Sequence, residues 1–204
     1  MKLQHYLWAV ISCLTFGSCT SQESKAKIEK HMLHSKIPKS EYSPQVTYYS
    51  SQAYQGETAT EVLLNSKNAM LEFIASIPDD KVAYKYGKNK WTTAEVLQHV
   101  IYYEEIMYEK MLIAINEAPT NLKYNYYTQS GTAAAGLGKS KHQLIEEYID
   151  VRDRMIALID RLSENELKLM GSMDGFSLSV RMFVLCASGH QHHHFNVIRD
   201  KYLE

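Results

Sequence analysis

The chain has 204 residues, with 22 lysines and arginines against 23 aspartates and glutamates and a formal net charge of -1. That balance removes any electrostatic reason to expect a nucleic-acid partner, and the length suits one domain with a tail. Apolar residues make up 45% of the sequence, and tyrosine is over-used, 15 against five Phe and two Trp, which suits half-buried packing and wet pocket walls.

Residues 1–18 read as a secretory signal: Lys2, an apolar stretch from Tyr6 to Phe16, then Gly17 and Ser18. The apolar run is too short to cross a membrane as a helix. "FGSC" resembles a bacterial lipobox, with Phe16 where Leu is usual, so Cys19 is expected to carry lipid after cleavage. This places the protein in the bacterial cell envelope, anchored and facing the periplasm or the exterior. With Cys13 removed and Cys19 acylated, only Cys186 remains, and no disulfide is expected. Residues 19–56 are polar, rich in Ser, Lys, Glu and Tyr, and read as a tether with at most one helical turn.

From Glu57 onward the apolar period is helical. Helix one is expected from Glu57 to Ile77, with Val62, Leu63, Met70, Leu71, Phe73 and Ile74 inward and Pro78 as its stop. Helix two opens at "WTTAEV", where Thr92 or Thr93 can cap, and runs to Glu117. Helix three spans Lys139 to Leu162. Helix four follows Gly175, with Ser177 as a candidate cap, and runs to Leu203. No segment alternates like a strand, so residues 57–204 read as an all-α four-helix bundle. Between helices two and three, Ala118 to Gly138 form a long connection bearing Tyr124, Tyr126 and Tyr127. Bundle connections usually take about 2–8 residues.

Residues 189–198, near the C-terminal end, form a histidine-rich stretch, "GHQHHHFNVI". Residues four apart share a helix face, so His190 and His194 point inward with Phe183, Cys186, Ala187, Val197 and Ile198. His192 points away and is expected to be exposed; His193 lies at the edge of the stripe. On helix two, His99 shares a face with Glu95, Val96, Tyr103 and Ile106. The three imidazoles come level if helices two and four are antiparallel. Helices three and four are joined by the short "MGSMDGF" turn, so helices two and three must then be parallel. The long connection is the crossover this up-down-down-up order requires. By spacing alone the three histidines fit either a metal site or a packed set satisfied by Tyr102, Tyr103 or backbone groups.

"YKYGKNKWTTAEVLQHVIYYEEIMYEKML" and "GFSLSVRMFVLCASGHQHHHFNVIRDKYL" resemble the two signature regions of the DinB/YfiT-like metal-dependent enzymes, and "RMIALIDRLSENEL" resembles that family's third helix. The resemblance covers residues 57–204. It implies the same bundle and a divalent metal, zinc first, with nickel or iron as alternatives, on His99, His190 and His194. It also implies activities such as metal-dependent hydrolysis or thiol-dependent transfer and isomerisation. Tyr102 stands where the family often has Asp, while the acidic residue two further on is kept as Glu104.

Glu95, Tyr103 and Glu104 are the candidate catalytic proton carriers. His193 and Cys186 are candidate supports for the ligands, with an ordinary core role the simpler reading of Cys186. Gly136 and Gly138 lack the spacing of a phosphate loop. A cytosolic thiol suits an envelope protein poorly, so the expected function is a hydrolase-like metal enzyme. The alternatives are a non-catalytic metal- or small-ligand-binding lipoprotein and a thiol-dependent transferase. The expected partners are a small-molecule substrate or ligand and the membrane through Cys19, with a homodimer left open.

Overall fold

The computed structural model describes residues 32–118 and 134–204. The signal, Cys19 and the tyrosines at 124, 126 and 127 lie outside the described residues. Four long helices dominate: α3 (Ala59–Ser76), α5 (Thr93–Ala114), α6 (Lys141–Asp160) and α7 (Val180–Tyr202). Short helices α1 (Leu33–Lys36), α2 (Thr47–Ser50) and α4 (Asp79–Val82) accompany them.

Local chemistry sets the helix starts. The Thr58 hydroxyl accepts from Glu61 N, and Thr92 with Glu95 and Ser140 with Gln143 form reciprocal capping boxes at α5 and α6. Pro78 follows α3 after Ile77 and bars its continuation. Leu63, Met70, Ile74, Leu97, Met107, Leu144, Met155 and Val184 build the core between the long helices. Each such side chain stabilises the fold by about 1.5–3 kcal/mol.

Side-chain pairs give the helix registers. Between α3 and α6, Thr60 donates to Asp160 at 2.6 Å, Lys67 pairs with Asp153, and Lys141 Nζ donates to the Ile77 carbonyl at 2.9 Å. The numbers run in opposite order. Between α5 and the α6 region, Gln98 meets Lys139, Glu104 meets Arg152, and Glu117 meets Arg161, in the same order. Between α5 and α7, His99 lies by His194 and Tyr103 by His190. At the far end a Cβ on Gly171 would touch both Phe183 and Ala114, so the order is again opposite.

Two expectations need correction. The "MGSMDGF" segment is a β-hairpin, β1 (Met170–Met173) against β2 (Phe176–Ser179), with Met173 facing Phe176. Asp174 and Gly175 take φ of 51° and 81° in its two-residue turn, a primed geometry that suits strand twist. Four-residue strands are too short to show an alternation in the sequence. The second correction concerns the tether. From residue 32 the segment is folded as a strap along α7, and Leu33, Ile37 and Val46 are buried. Leu33 and Ile37 lie one helical turn apart, but Val46 stands alone, and the rest of the strap is held by point contacts. Arg181 pairs with Glu41 through two bonds, Ser43 N donates to the Ser177 carbonyl at 2.8 Å, and Tyr54 N donates to Ser188 Oγ at 2.9 Å. At Gly189 the Tyr49 carbonyl lies so close that a Cβ would sit 1.8 Å from its oxygen. Among the described residues no helix is long and apolar enough to cross a membrane.

Candidate metal centre

α5 carries His99 two turns inside its cap, and α7 carries His190 and His194 one turn apart. One ligand nitrogen from each lies within 4.8 Å of the other two. The Nε2 atoms of His190 and His194 are 3.1 Å apart, and the His99 ring lies 5.0 Å and 4.9 Å from their ring centres. Two nitrogens bound to one tetrahedral zinc at about 2.0–2.1 Å stand roughly 3.3 Å apart, so the spacing suits shared coordination.

The electrostatics favour neutral rings. Burial holds His99 down at about 4 and His194 down at about 3, the latter also through His99 and His193. His190 is pushed well below its usual value by burial and then by the neighbouring histidines. A neutral imidazole has a free lone pair and can ligate. Without a metal, the His190–His194 contact can use only one N–H, and among the described residues the buried Nδ1 atoms of both rings have no hydrogen-bond partner. Three buried, proton-excluding nitrogens converging on one point fit a divalent metal.

Aromatic rings surround the histidines. Tyr103 stacks on His190 at 3.7 Å with 21° between planes, and Trp91 lies 5.3 Å from His99. Tyr49, from the strap, meets His190 edge-on at 5.2 Å. The hydroxyl of Tyr48 lies 3.2 Å from His193 Nδ1. His192, expected to be exposed, is half-buried beneath the strap, and its Nδ1 lies 2.8 Å from the Gln52 carbonyl. Sequence reasoning missed Tyr48, Tyr49 and Gln52 because they sit outside any helical period. The small Gly189 inside the histidine run was the one sign that backbone packs there.

The expected proton carriers separate. Tyr103 stands at the centre, its hydroxyl 3.9 Å from Met173 Sδ. The Glu95 carboxylate instead accepts from Thr92 N at 2.7 Å and faces Lys85 at 3.4 Å. Burial opposes its charge, but the Thr92 and Lys85 contacts hold its carboxyl below the usual range. Glu104 is fully buried and pairs with Arg152, which also reaches Ser66 and Gln191. Both glutamates are thus corrected from proton carriers to a cap and a core ion pair. Cys186 does not join the histidine group. Its Sγ lies 4.0 Å from the Val46 carbonyl, and burial pushes its thiol up to about 12.

A helical bundle with a buried three-histidine cluster between two of its helices is the class that this fold and site define. The chain belongs to the DinB superfamily, whose family model matches residues 63–198. Among solved structures it is similar to YfiT from Bacillus subtilis, described as "a probable metal-dependent hydrolase with an unusual four-helix bundle topology". The TM-score is 0.58 at 12% identity, covering 80% of this chain and 90% of that one. It is also similar in fold to a mycothiol-dependent maleylpyruvate isomerase, with a TM-score of 0.55 at 8% identity. That match covers 83% of this chain, which spans only 62% of the isomerase. No curated protein matches the chain.

Proposed function

We propose that this protein is a metal-dependent enzyme of the hydrolase type, with one divalent metal, zinc first, held by His99, His190 and His194. The carrying observation is the convergence within 4.8 Å of three ligand nitrogens from two helices, on two buried histidines and the half-buried His194. The likeness to YfiT, described as "a probable metal-dependent hydrolase", supports the same reading. Among the described residues no fourth side chain joins the three histidines, and Cys186 faces the Val46 carbonyl, so a metal held there would keep a position for water or substrate. A divalent metal in such a site lowers the pKa of a bound water and polarises a substrate oxygen. Tyr103 holds the plane of His190 by stacking and is the phenol placed to exchange a proton with a bound substrate. The bundle order is up-down-down-up, supported by the paired contacts between α3 and α6, α5 and α6, and α5 and α7.

The same reading places the protein in the cell envelope, with residues 1–18 as signal and Cys19 as the lipidated residue; the FGSC sequence supports it. Mass spectrometry of the mature protein should find an acylated Cys19, absent from Cys19→Ala; an unmodified N-terminus beyond Cys19 refutes the anchor. The test of the enzyme is metal analysis of the full chain followed by a hydrolase substrate screen with and without chelator. Near-stoichiometric metal and chelator-sensitive turnover support it. Bound metal with no turnover of any ester, amide or phosphoester would favour a non-catalytic metal-binding lipoprotein, and absence of metal would overturn the site.

A further inference from the structure

The strap crosses the histidine centre at one point. Tyr49 makes a T-shaped contact with His190 at 5.2 Å and 75°, stands 6.4 Å from Tyr103, and lies 5.8 Å from His193. Its neighbour Tyr48 packs against it at 5.1 Å. Val46 and Ser50 on either side are buried, and the Tyr49 carbonyl is seated in the space left by the missing side chain of Gly189. The backbone that carries the ring is therefore held on both sides of Tyr49. Residues 47–50 lie outside the segment that matches the family model, residues 63–198.

We propose that Tyr49 is a specificity-determining residue of the centre, closing the space beside His190 so that only ligands with a slim group next to the metal are admitted. This rests on the metal reading above. The physical reason is steric: Tyr103 already covers one face of His190, and Tyr49 packs T-shaped against the same ring. A planar ring attached close to the coordinating atom would have to displace one of the two. A short aliphatic carboxylate would not.

The test uses the full chain loaded with Co²⁺, whose visible absorption reports a new ligand at the open position. Acetate and benzoate are titrated separately. Wild type should prefer acetate. Tyr49→Ala should shift the acetate-to-benzoate ratio toward benzoate by roughly tenfold or more, on the scale of pocket discrimination by carbon groups. Tyr49→Phe should keep the wild-type ratio, since it keeps the ring. Gly189→Ala provides an independent route, because its Cβ expels the Tyr49 carbonyl while favouring the helix; it should behave like Tyr49→Ala. If all four proteins bind cobalt and show one ratio, the role of Tyr49 is overturned and the metal reading stands. If wild type takes up no cobalt, the metal reading fails and this inference with it.

Discussion

Arg152 and Glu104 meet where neither side chain reaches solvent, at 0% and 1% exposure. Burial opposes the charge of Arg152, but the Glu104 carboxylate more than offsets that and keeps the guanidinium charged. Arg152 also donates to Ser66 Oγ, the Leu63 carbonyl and Gln191 Oε1, so it joins α3, α5, α6 and α7 at one level. Gln191 neighbours His190, and Tyr148 donates to it at 2.8 Å. Removing one partner leaves a buried charge uncompensated. Glu104→Gln should therefore cost about 3–5 kcal/mol in urea unfolding, whereas replacing both residues by apolar ones of similar volume should cost far less. Equal costs for the two variants would contradict this account.

Metal content should separate the histidines. His99→Ala, His190→Ala and His194→Ala should each lose most of the bound zinc, while His192→Ala should keep it, because that ring serves the Gln52 carbonyl. Elemental analysis of the purified variants decides the matter. Loss from His192→Ala equal to the others would mean a diffuse histidine cluster.

The pH profile follows from burial. In the unfolded chain these histidines take up protons near 6.5, but in the fold His99 resists to about 4 and His194 to about 3. Between those limits the unfolded state holds more protons, so stability of the metal-free protein is full above about 6.5 and falls as pH drops. Each such histidine contributes a slope of ~1.4 kcal/mol per pH unit within its window. Bound metal meets the same low proton affinity. Its retention should stay flat from about pH 8 to 5 and fall toward about 4, instead of near 6.5 as for free imidazoles. A midpoint near 6.5 in equilibrium dialysis, with helicity intact, would refute the burial argument.

Cys186 should behave as a core residue. With its thiol pushed up to about 12 it should react with maleimides only on unfolding. Cys186→Ala should keep the zinc, and X-ray absorption should show nitrogen and oxygen neighbours near ~2.0–2.2 Å with no sulfur near ~2.3 Å. A sulfur shell that disappears in the variant would make the site structural.

The long helices and the histidine convergence were legible because both obey a period. Helix faces repeat every 3.6 residues, and positions four apart meet. Proline and the Thr92/Glu95 pair marked ends that the fold uses. What escaped has no period. Glu95 and Tyr103 share the face of His99, and spacing cannot reveal that the Glu95 carboxylate turns back to its own cap. Glu104 looked like a proton carrier until Arg152, 48 residues away, claimed it. Nothing local to either residue announces the pairing. The strap escaped because its buried apolar residues, Leu33, Ile37 and Val46, are few and separated by polar ones.

Leu33 N donates to the Gly56 carbonyl at 2.8 Å, and Lys36 Nζ reaches the Glu57 carbonyl at 2.9 Å. The two ends of the strap are thus stitched together at the threshold of α3. A pull applied to the chain at residue 32 passes through this stitch into α3 and the bundle, and the loop that carries Tyr49 hangs beside the line of force. The histidine centre is mechanically shunted. Tension arriving from the N-terminal side leaves its geometry unloaded until the stitch itself gives way.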